Sequence, residues 1–407
     1  MVIRRLVLRD FRSYERADLD LGPGLTAFVG PNAVGKTNLL EAVYFAATGA
    51  SPRTARDTDL IRVGAGVCYV RVEWDDPLAG RRTIEIACHR QQGKALRIDG
   101  RKRQRLADLY GQLPVVYFAP ETLALIKHGP AARRAFLDHL LIQLDPGYAA
   151  RLQEYQRILA QRNQLLREIR AGRASTALLA IWDEPLHQRG TAIRRRRAEV
   201  LARLEPLVAA AARRLGAGGA WGEGAVRLLY VTGDGEEPAA DPQAGAGPGG
   251  VAAGGAGPGD GPGSGDPAGG AALAAEPAAT ASERYREEIA RGVTLWGPQR
   301  DEFRVFLDGR DARVFASQGQ QRSLVLALKL AEVELMRAEL GRAPVLLLDD
   351  VLSELDGRRR ELLLEAVGGT PQVLLTATEE PAIPAGVQAR VVSLPLAPPA
   401  EAGEGPR

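Results

Sequence analysis

The sequence predicts an α/β protein whose sheet-rich body is interrupted by a mainly helical lobe. Three observations carry that reading. Residues 25 to 29 have the apolar run of a strand, Gly30-Pro31-Asn32-Ala33-Val34-Gly35-Lys36-Thr37 follows, and residues 38 to 46 have helical spacing. A strand, a G-x-x-x-x-G-K-[ST] loop and a helix, in that order, form a phosphate-binding loop. Far downstream, residues 344 to 348 read as a buried parallel strand by their continuous apolar run, which ends in Asp349-Asp350. Between them, residues 131 to 216 are Arg-rich and helical in period.

Taken in order, residues 2 to 9 form a strand-like alternation, and residues 67 to 74 and 82 to 88 alternate with period two, as antiparallel strands do. Residues 114 to 118 make another short apolar run. In the helical stretch, Leu152, Tyr155, Leu159, Leu165, Leu166 and Ile169 form one apolar stripe with Glu and Arg on the other face. A second helical segment, 175 to 215, is expected to kink or break at Pro185 and Pro206. Residues 232 to 281 hold 15 Gly, 15 Ala and 7 Pro with no aromatic residue, so they are expected to form a disordered insertion. Such a composition buries too little apolar surface to offset the entropy of ordering. Beyond it come a strand at 303 to 307 before the Asp308-Gly309 turn, an amphipathic helix at 323 to 340 ending at Gly341, and a second buried strand at 372 to 376. The expected organisation is a discontinuous head (1–130 and 282–400), a helical arm or lobe (131–231), the insertion (232–281) and a tail (401–407).

The charge pattern narrows the partners. The net charge is +3, and residues 232 to 281 contribute −7 of it, which leaves +10 on the rest. A basic body suits a polyanion. Arg101-Lys102-Arg103-Gln104-Arg105 and Arg194-Arg195-Arg196-Arg197 are the densest basic runs, each either a set of DNA phosphate contacts or a solvated face. Cys68 and Cys88 lie in strand-like stretches without metal-ligand spacing and read as buried thiols of a reducing cytosol. The four histidines also lack ligand spacing, so no metal beyond Mg²⁺ is expected. No apolar run reaches the roughly 18 residues that suggest a membrane span, and no membrane partner is expected.

The motifs have a common chemistry. Glycines at 30 and 35 let the backbone wrap phosphates, and the following helix presents its positive end to them. Lys36 is expected to reach the β and γ phosphates, and the Thr37 hydroxyl to ligate Mg²⁺. Asp349 emerges at the carboxyl edge of a sheet, where a carboxylate can share Mg²⁺ with phosphates. Asp350 is the candidate to orient or deprotonate the attacking water. Ser317-Gln318-Gly319-Gln320-Gln321 opens a helix and offers a second anion site.

In this order the motifs resemble the ATP-binding-cassette (ABC) ATPases of the SMC-like branch. Phe11-Arg12-Ser13-Tyr14-Glu15, Asn38-Leu39-Leu40-Glu41-Ala42, Ser51-Pro52-Arg53, Arg133-Arg134-Ala135-Phe136-Leu137-Asp138, Gly297-Pro298-Gln299-Arg300-Asp301-Glu302 and Val351-Leu352-Ser353-Glu354-Leu355-Asp356 narrow the match to the RecF family of bacterial recombination mediators. The resemblance implies an ABC-type P-loop ATPase head with an inserted helical lobe. It adds Arg12 and Asn38 to the nucleotide site and makes residues 317 to 321 the signature that caps ATP held by a second subunit. It marks Ser353 and Asp356 as belonging to a loop that communicates between the two sites. Thr376 stands where transporter cassettes carry a switch histidine, and Gln299 where the family pattern has His. The implied function is ATP-dependent homodimerisation on single-stranded or gapped DNA with slow hydrolysis. It includes cooperation with RecR and RecO to place RecA, a part in the SOS response, and a cytoplasmic, nucleoid-associated location. The alternative is an SMC-type structural tether, which the short helical stretch disfavours. A transporter cassette lacks its switch histidine here, and a small-molecule P-loop kinase has no use for the signature.

Overall fold

The computed structural model describes residues 1–215, 226–234, 278–379 and 388–396. In chain order its strands and main helices are β1 (Val2–Phe11), β2 (Tyr14–Asp20), β3 (Gly24–Val29), α1 (Lys36–Thr48), β4 (Val67–Asp76), β5 (Gly80–His89), β6 (Gly93–Ile98), β7 (Arg101–Arg103), β8 (Val115–Phe118), α2 (Ala124–Lys127), α3 (Pro130–Leu144), α4 (Pro146–Arg170), α5 (Ala180–Leu215), β9 (Val226–Val231), α6 (Ala278–Arg291), β10 (Glu302–Leu307), β11 (Arg310–Asp311), α7 (Ala312–Phe315), α8 (Gln318–Leu340), β12 (Val345–Leu348), α9 (Gly357–Val367), β13 (Gln372–Ala377) and β14 (Ala389–Ser393). They build a parallel sheet of order β14-β3-β13-β12-β8, an antiparallel sheet of order β2-β1-β4-β5-β6-β7, and a small sheet of order β11-β10-β9.

The parallel sheet is buried on both faces, which is why its strands are apolar without alternation. On β12, Val345 and Leu347 pack with Leu39 and Val43 of α1 and with Leu6, Leu8 and Val70 of the antiparallel sheet. Leu346 and Leu348 pack the opposite way, with Leu324 and Leu328 of α8 and with the helices of the lobe. Helix α1 is therefore held between two sheets, with its first residues at the carboxyl edge of the parallel one. Gln372, fully buried, ties the sheets together: its side chain accepts from the Ile3 N–H at 2.7 Å and donates to the Ile3 and Gly22 carbonyls at 2.8 Å.

Three expectations are corrected. Of the expected kinks or breaks at Pro185 and Pro206, the breaks are absent; α5 is one helix that contains both. Its buried stripe (Leu186, Ile193, Val200, Leu204, Val208, Leu215) runs past both prolines, and that burial outweighs a cost of about 3 kcal/mol for each proline. Residues 226 to 231, assigned to the helical lobe, form strand β9, whose alternating burial matches its antiparallel pairing with β10. The expected insertion begins and ends inside structured chain. Asp234 is ion-paired with Arg194, and α6 starts at Ala278. The rest of that insertion and the tail, 401–407, lie outside the described residues.

Arginines fasten the lobe to the head. Arg162, fully buried on α4, donates to Asp183 at 2.7 Å, to Glu288 at 2.7 Å and to Thr294 at 2.8 Å. Gln299 takes a hydrogen bond from the Tyr155 hydroxyl and donates to the Trp296 carbonyl, so its place in this junction requires no charge. Arg162→Met leaves Glu288 buried without its cation. It is expected to cost about 3–5 kcal/mol, measured as a lower midpoint in urea unfolding.

Candidate functional site

Residues 312 positions apart in the chain meet at the carboxyl edge of the parallel sheet. The glycine loop leaves β3, and Asp349 follows β12 two strands away, with β13 between them. Thr37 Oγ1 donates to Asp349 Oδ1 at 2.9 Å, and Thr376 Oγ1, from the end of β13, donates to the same oxygen at 2.8 Å. The Tyr117 hydroxyl, from β8, donates to Oδ2 at 2.8 Å. Burial pushes the Asp349 carboxyl above its ordinary value, and the hydrogen bonds from Tyr117, Thr376 and Thr37 oppose that push. Asp350 stands at a left-handed φ of 51°. Its N–H donates to Thr376 Oγ1 at 2.8 Å, and its carbonyl accepts from Ser353 Oγ at 2.7 Å. Thr376 thus fixes both members of the acid pair.

The phosphate loop is backed by the β1–β2 turn. Gly35 has φ 107°, and a Cβ there would lie 2.9 Å from Ser13 Oγ and 3.0 Å from the Tyr14 hydroxyl. Only glycine fits both the conformation and the gap. Asn38 donates to Ser13 Oγ at 2.9 Å. The Lys36 ammonium bends back to the Gly30 and Pro31 carbonyls at 2.7 and 2.9 Å. Asn32 and Ala33 are exposed at the loop's tip. Arg12, at φ 55°, is engaged by Glu41 at 2.6 and 2.8 Å and by the Asp59 carbonyl at 2.9 Å. Glu41 lies one turn beyond Thr37 on α1, is fully buried, and also accepts from Ser51 Oγ at 2.6 Å.

The donor set fits Mg²⁺. Thr37 and Asp349 offer hard oxygens from one hydroxyl and one carboxylate, and Mg²⁺ commonly adds phosphate oxygens and water to such a pair. Among the described residues there is no group of three or more His, Cys, Asp or Glu that could hold a metal alone, so a cation here depends on phosphate oxygens.

The signature segment stands apart from this cluster. Ser317 caps α8 in a reciprocal pair with Gln320: its hydroxyl accepts from the Gln320 N–H at 3.3 Å, and its own N–H donates to Gln320 Oε1 at 2.8 Å. Gln318 is exposed, and Gln321 is buried against the Ala312 and Arg313 carbonyls at 3.3 and 3.4 Å. None of residues 317–321 hydrogen-bonds to residues 30–37 or 349–350 among the described residues. Asp356 caps α9 by accepting from the Arg359 N–H at 2.9 Å and from its guanidinium at 2.6 Å. That guanidinium lies 3.5 Å from where a Cβ on Gly319 would stand, which brings the loop after the acid pair against the signature.

Sequence reasoning assigned no role to Tyr117 and gave Glu41 none beyond a motif. Glu41 carried a signal in its spacing, four residues after Thr37. Tyr117 carried none, because its role depends on the pairing of β8 with β12.

The chain matches the family model described as "RecF/RecN/SMC N terminal domain" over residues 2–393. It is 40% identical over 383 residues to the DNA replication and repair protein RecF of Moorella thermoacetica, covering 94% of this chain and 91% of that one. The chain belongs to the RecF family. The Symbiobacterium thermophilum RecF is 40% identical over 384 residues, covering 93% of this chain and 92% of that one. A solved structure of the recombination mediator protein RecF-ATPrS, of the RecFOR pathway, superposes with a TM-score of 0.77 at 26% identity, covering 94% of each chain. A RecF–ATP structure gives 0.76 at 27% identity, covering 93% of this chain and 92% of that one. The fold is therefore the ABC-type head of this family, α/β in class.

Gly35→Ala is expected to remove nucleotide binding, because it adds a side chain at positive φ against Ser13 and Tyr14. Titration with a fluorescent ATP analogue checks this, with unchanged circular dichroism as the control for folding.

Proposed function

We propose that this RecF-family chain is an ATPase of DNA replication and recombinational repair that closes into a homodimer on ATP and holds single-stranded or gapped DNA. The observation that carries this reading is the isolation of residues 317–321 from the chain's own phosphate loop. Ser317 and the first N–H groups of α8 form an exposed anion-binding end with no ligand to serve in their own subunit. A second copy, with its Gly30–Thr37 loop facing that end, gives it one.

In this reading Lys36 meets the β and γ phosphates of ATP, and Thr37 and Asp349 hold Mg²⁺. Asp350 orients the attacking water. Ser317, Gly319 and Gln320 cap the nucleotide from the partner side. Hydrolysis is slow, stimulated by DNA, and acts as the timer that opens the dimer. RecR and RecO are the protein partners, RecA loading and the SOS response are the outcome, and the cytoplasmic nucleoid is the setting. A long-range tether is disfavoured because α5, the longest helix, has 36 residues and spans only about 54 Å.

The two basic runs separate as DNA contacts. Arg194 and Arg197 are inward-facing, at 2.9 Å from Asp301 and Asp138 respectively, while Arg195 and Arg196 each pair with Glu199 at 3.0 Å. This run fastens the lobe. Arg101, Lys102 and Arg103 are fully exposed on β7, the last strand of its sheet, and make no ion pair among the described residues. They are the better DNA surface.

Lys36→Met is expected to abolish ATP-dependent dimerisation, and Asp350→Asn to bind ATP but remain dimeric. Light scattering with and without ATP checks both. A wild-type protein that stays monomeric with saturating ATP and gapped DNA would refute the composite site. Replacing Arg101, Lys102 and Arg103 together by Ala is expected to lower the slope of log affinity for DNA against log salt by about 3, with ATP-dependent dimerisation intact.

A further inference from the structure

We propose that Tyr117 is a positioning residue that sets the plane of the Asp349 carboxylate for the metal. The proposal rests on the reading of Asp349 and Thr37 as the Mg²⁺-binding pair. A carboxylate attached by one rotatable bond presents a defined oxygen to a cation only when both of its oxygens are constrained. Oδ1 receives two hydroxyls, Thr37 at 2.9 Å and Thr376 at 2.8 Å. Oδ2 receives the Tyr117 hydroxyl at 2.8 Å, the one donor to that oxygen among the described residues.

The two sides are not equivalent. Thr37 is itself a metal-binding residue, so its hydroxyl cannot serve both as a cation ligand and as a fixed strut for Asp349. The bonds that remain when the Thr37 oxygen turns to a cation are those from Thr376 and Tyr117. They come from the strands on either side of β12, because β13 and β8 both pair with it. Tyr117 is well built for such a task. Its register partner across the sheet is Leu347, two residues before Asp349, and the Asp349 N–H donates to the Phe118 carbonyl at 2.8 Å. Its ring packs on Tyr44 of α1, with centroids 5.5 Å apart and planes at 52°. The hydroxyl is thereby held from two elements that also carry the acid and the phosphate loop.

On its other side Tyr117 borders an open cavity of about 220 Å³ shared with Glu121, His139, Lys329 and Glu332. Loss of the hydroxyl would leave Oδ2 without its donor. Residues that orient a metal ligand in this way typically change metal affinity by about 10–100-fold when removed.

The test is Tyr117→Phe, which keeps the ring and its contact with Tyr44 and removes only the donor. Binding of a fluorescent non-hydrolysable ATP analogue is titrated with Mg²⁺ and repeated in EDTA. The Mg²⁺ concentration for half-maximal binding is expected to rise about 10-fold or more, with binding in EDTA unchanged. Tyr44→Phe removes the neighbouring hydroxyl without touching Asp349 and is expected to leave the Mg²⁺ dependence as it is. A Tyr117→Phe curve that overlays the wild type would overturn the proposal, as would an equal shift in Tyr44→Phe or a loss of binding in EDTA. Wild-type binding that ignores Mg²⁺ would instead overturn the metal-pair reading itself, so the two failures are distinguishable.

Discussion

A carboxylate that must be both charged and buried is the constraint around which this head is arranged. Asp349 is 4% exposed, at the end of a strand that is apolar on both faces. Burying an unpaired carboxylate is prohibitively costly, and among the described residues no cation is bonded to it; three hydroxyls are. Hydroxyl donors stabilise the charge without neutralising it, so the site keeps a negative group that a metal can claim. A lysine or arginine in the same place would have satisfied the carboxylate and closed it to Mg²⁺. The donors come from α1, β8 and β13, so the order β3-β13-β12-β8 is what brings all three to one carboxylate.

The same problem is solved the opposite way where the lobe joins the head. Along the lobe and its junction with the head, the buried carboxylates of Asp301 and Glu288 and the half-buried one of Asp138 are met by arginines: Arg194, Arg162 and Arg197. Each guanidinium spreads over several acceptors; Arg197, for instance, also donates to the Pro298 carbonyl at 2.6 Å. Arginine suits this role because its planar fork satisfies carboxylates and carbonyls at once and stays charged when buried. Such pairs fix how the lobe sits on the head more than they add stability. Asp349 therefore stays available, whereas Asp301, Glu288 and Asp138 are used up in ion pairs.

These differences determine what the sequence could disclose. The phosphate loop and the strand before Asp349-Asp350 were legible because their chemistry is local: a glycine pattern, and an apolar run ending in acids. The Arg194–Arg197 run was read as a possible DNA surface because charge was counted along the chain. On a helix, positions three apart share a face, and here Arg194 and Arg197 turn inward to acids far away in sequence. The prolines of α5 were read as kinks or breaks because propensity is local, whereas the packing that carries the helix through them is not. Strand β9 was missed for a related reason, since its partner β10 lies beyond a long Gly- and Ala-rich stretch. Tyr117 is the limiting case: nothing in residues 114 to 118 marks it, and its meaning appears only when the parallel register sets it beside Asp349.

The separation of the motifs along the chain then has a physical rationale. The loop, the acid pair and Thr376 converge because parallel strands place their carboxyl ends on one edge. The signature belongs to α8, which packs on the opposite face of the same sheet through Leu324 and Leu328. A single rigid sheet therefore cannot bring the start of α8 onto its own phosphate loop without unpacking that face. Arg359, held by Asp356 and resting on Gly319, links the loop after the acids to the signature inside one subunit. The loop after the acid pair and the start of α8 are thus neighbours within one subunit.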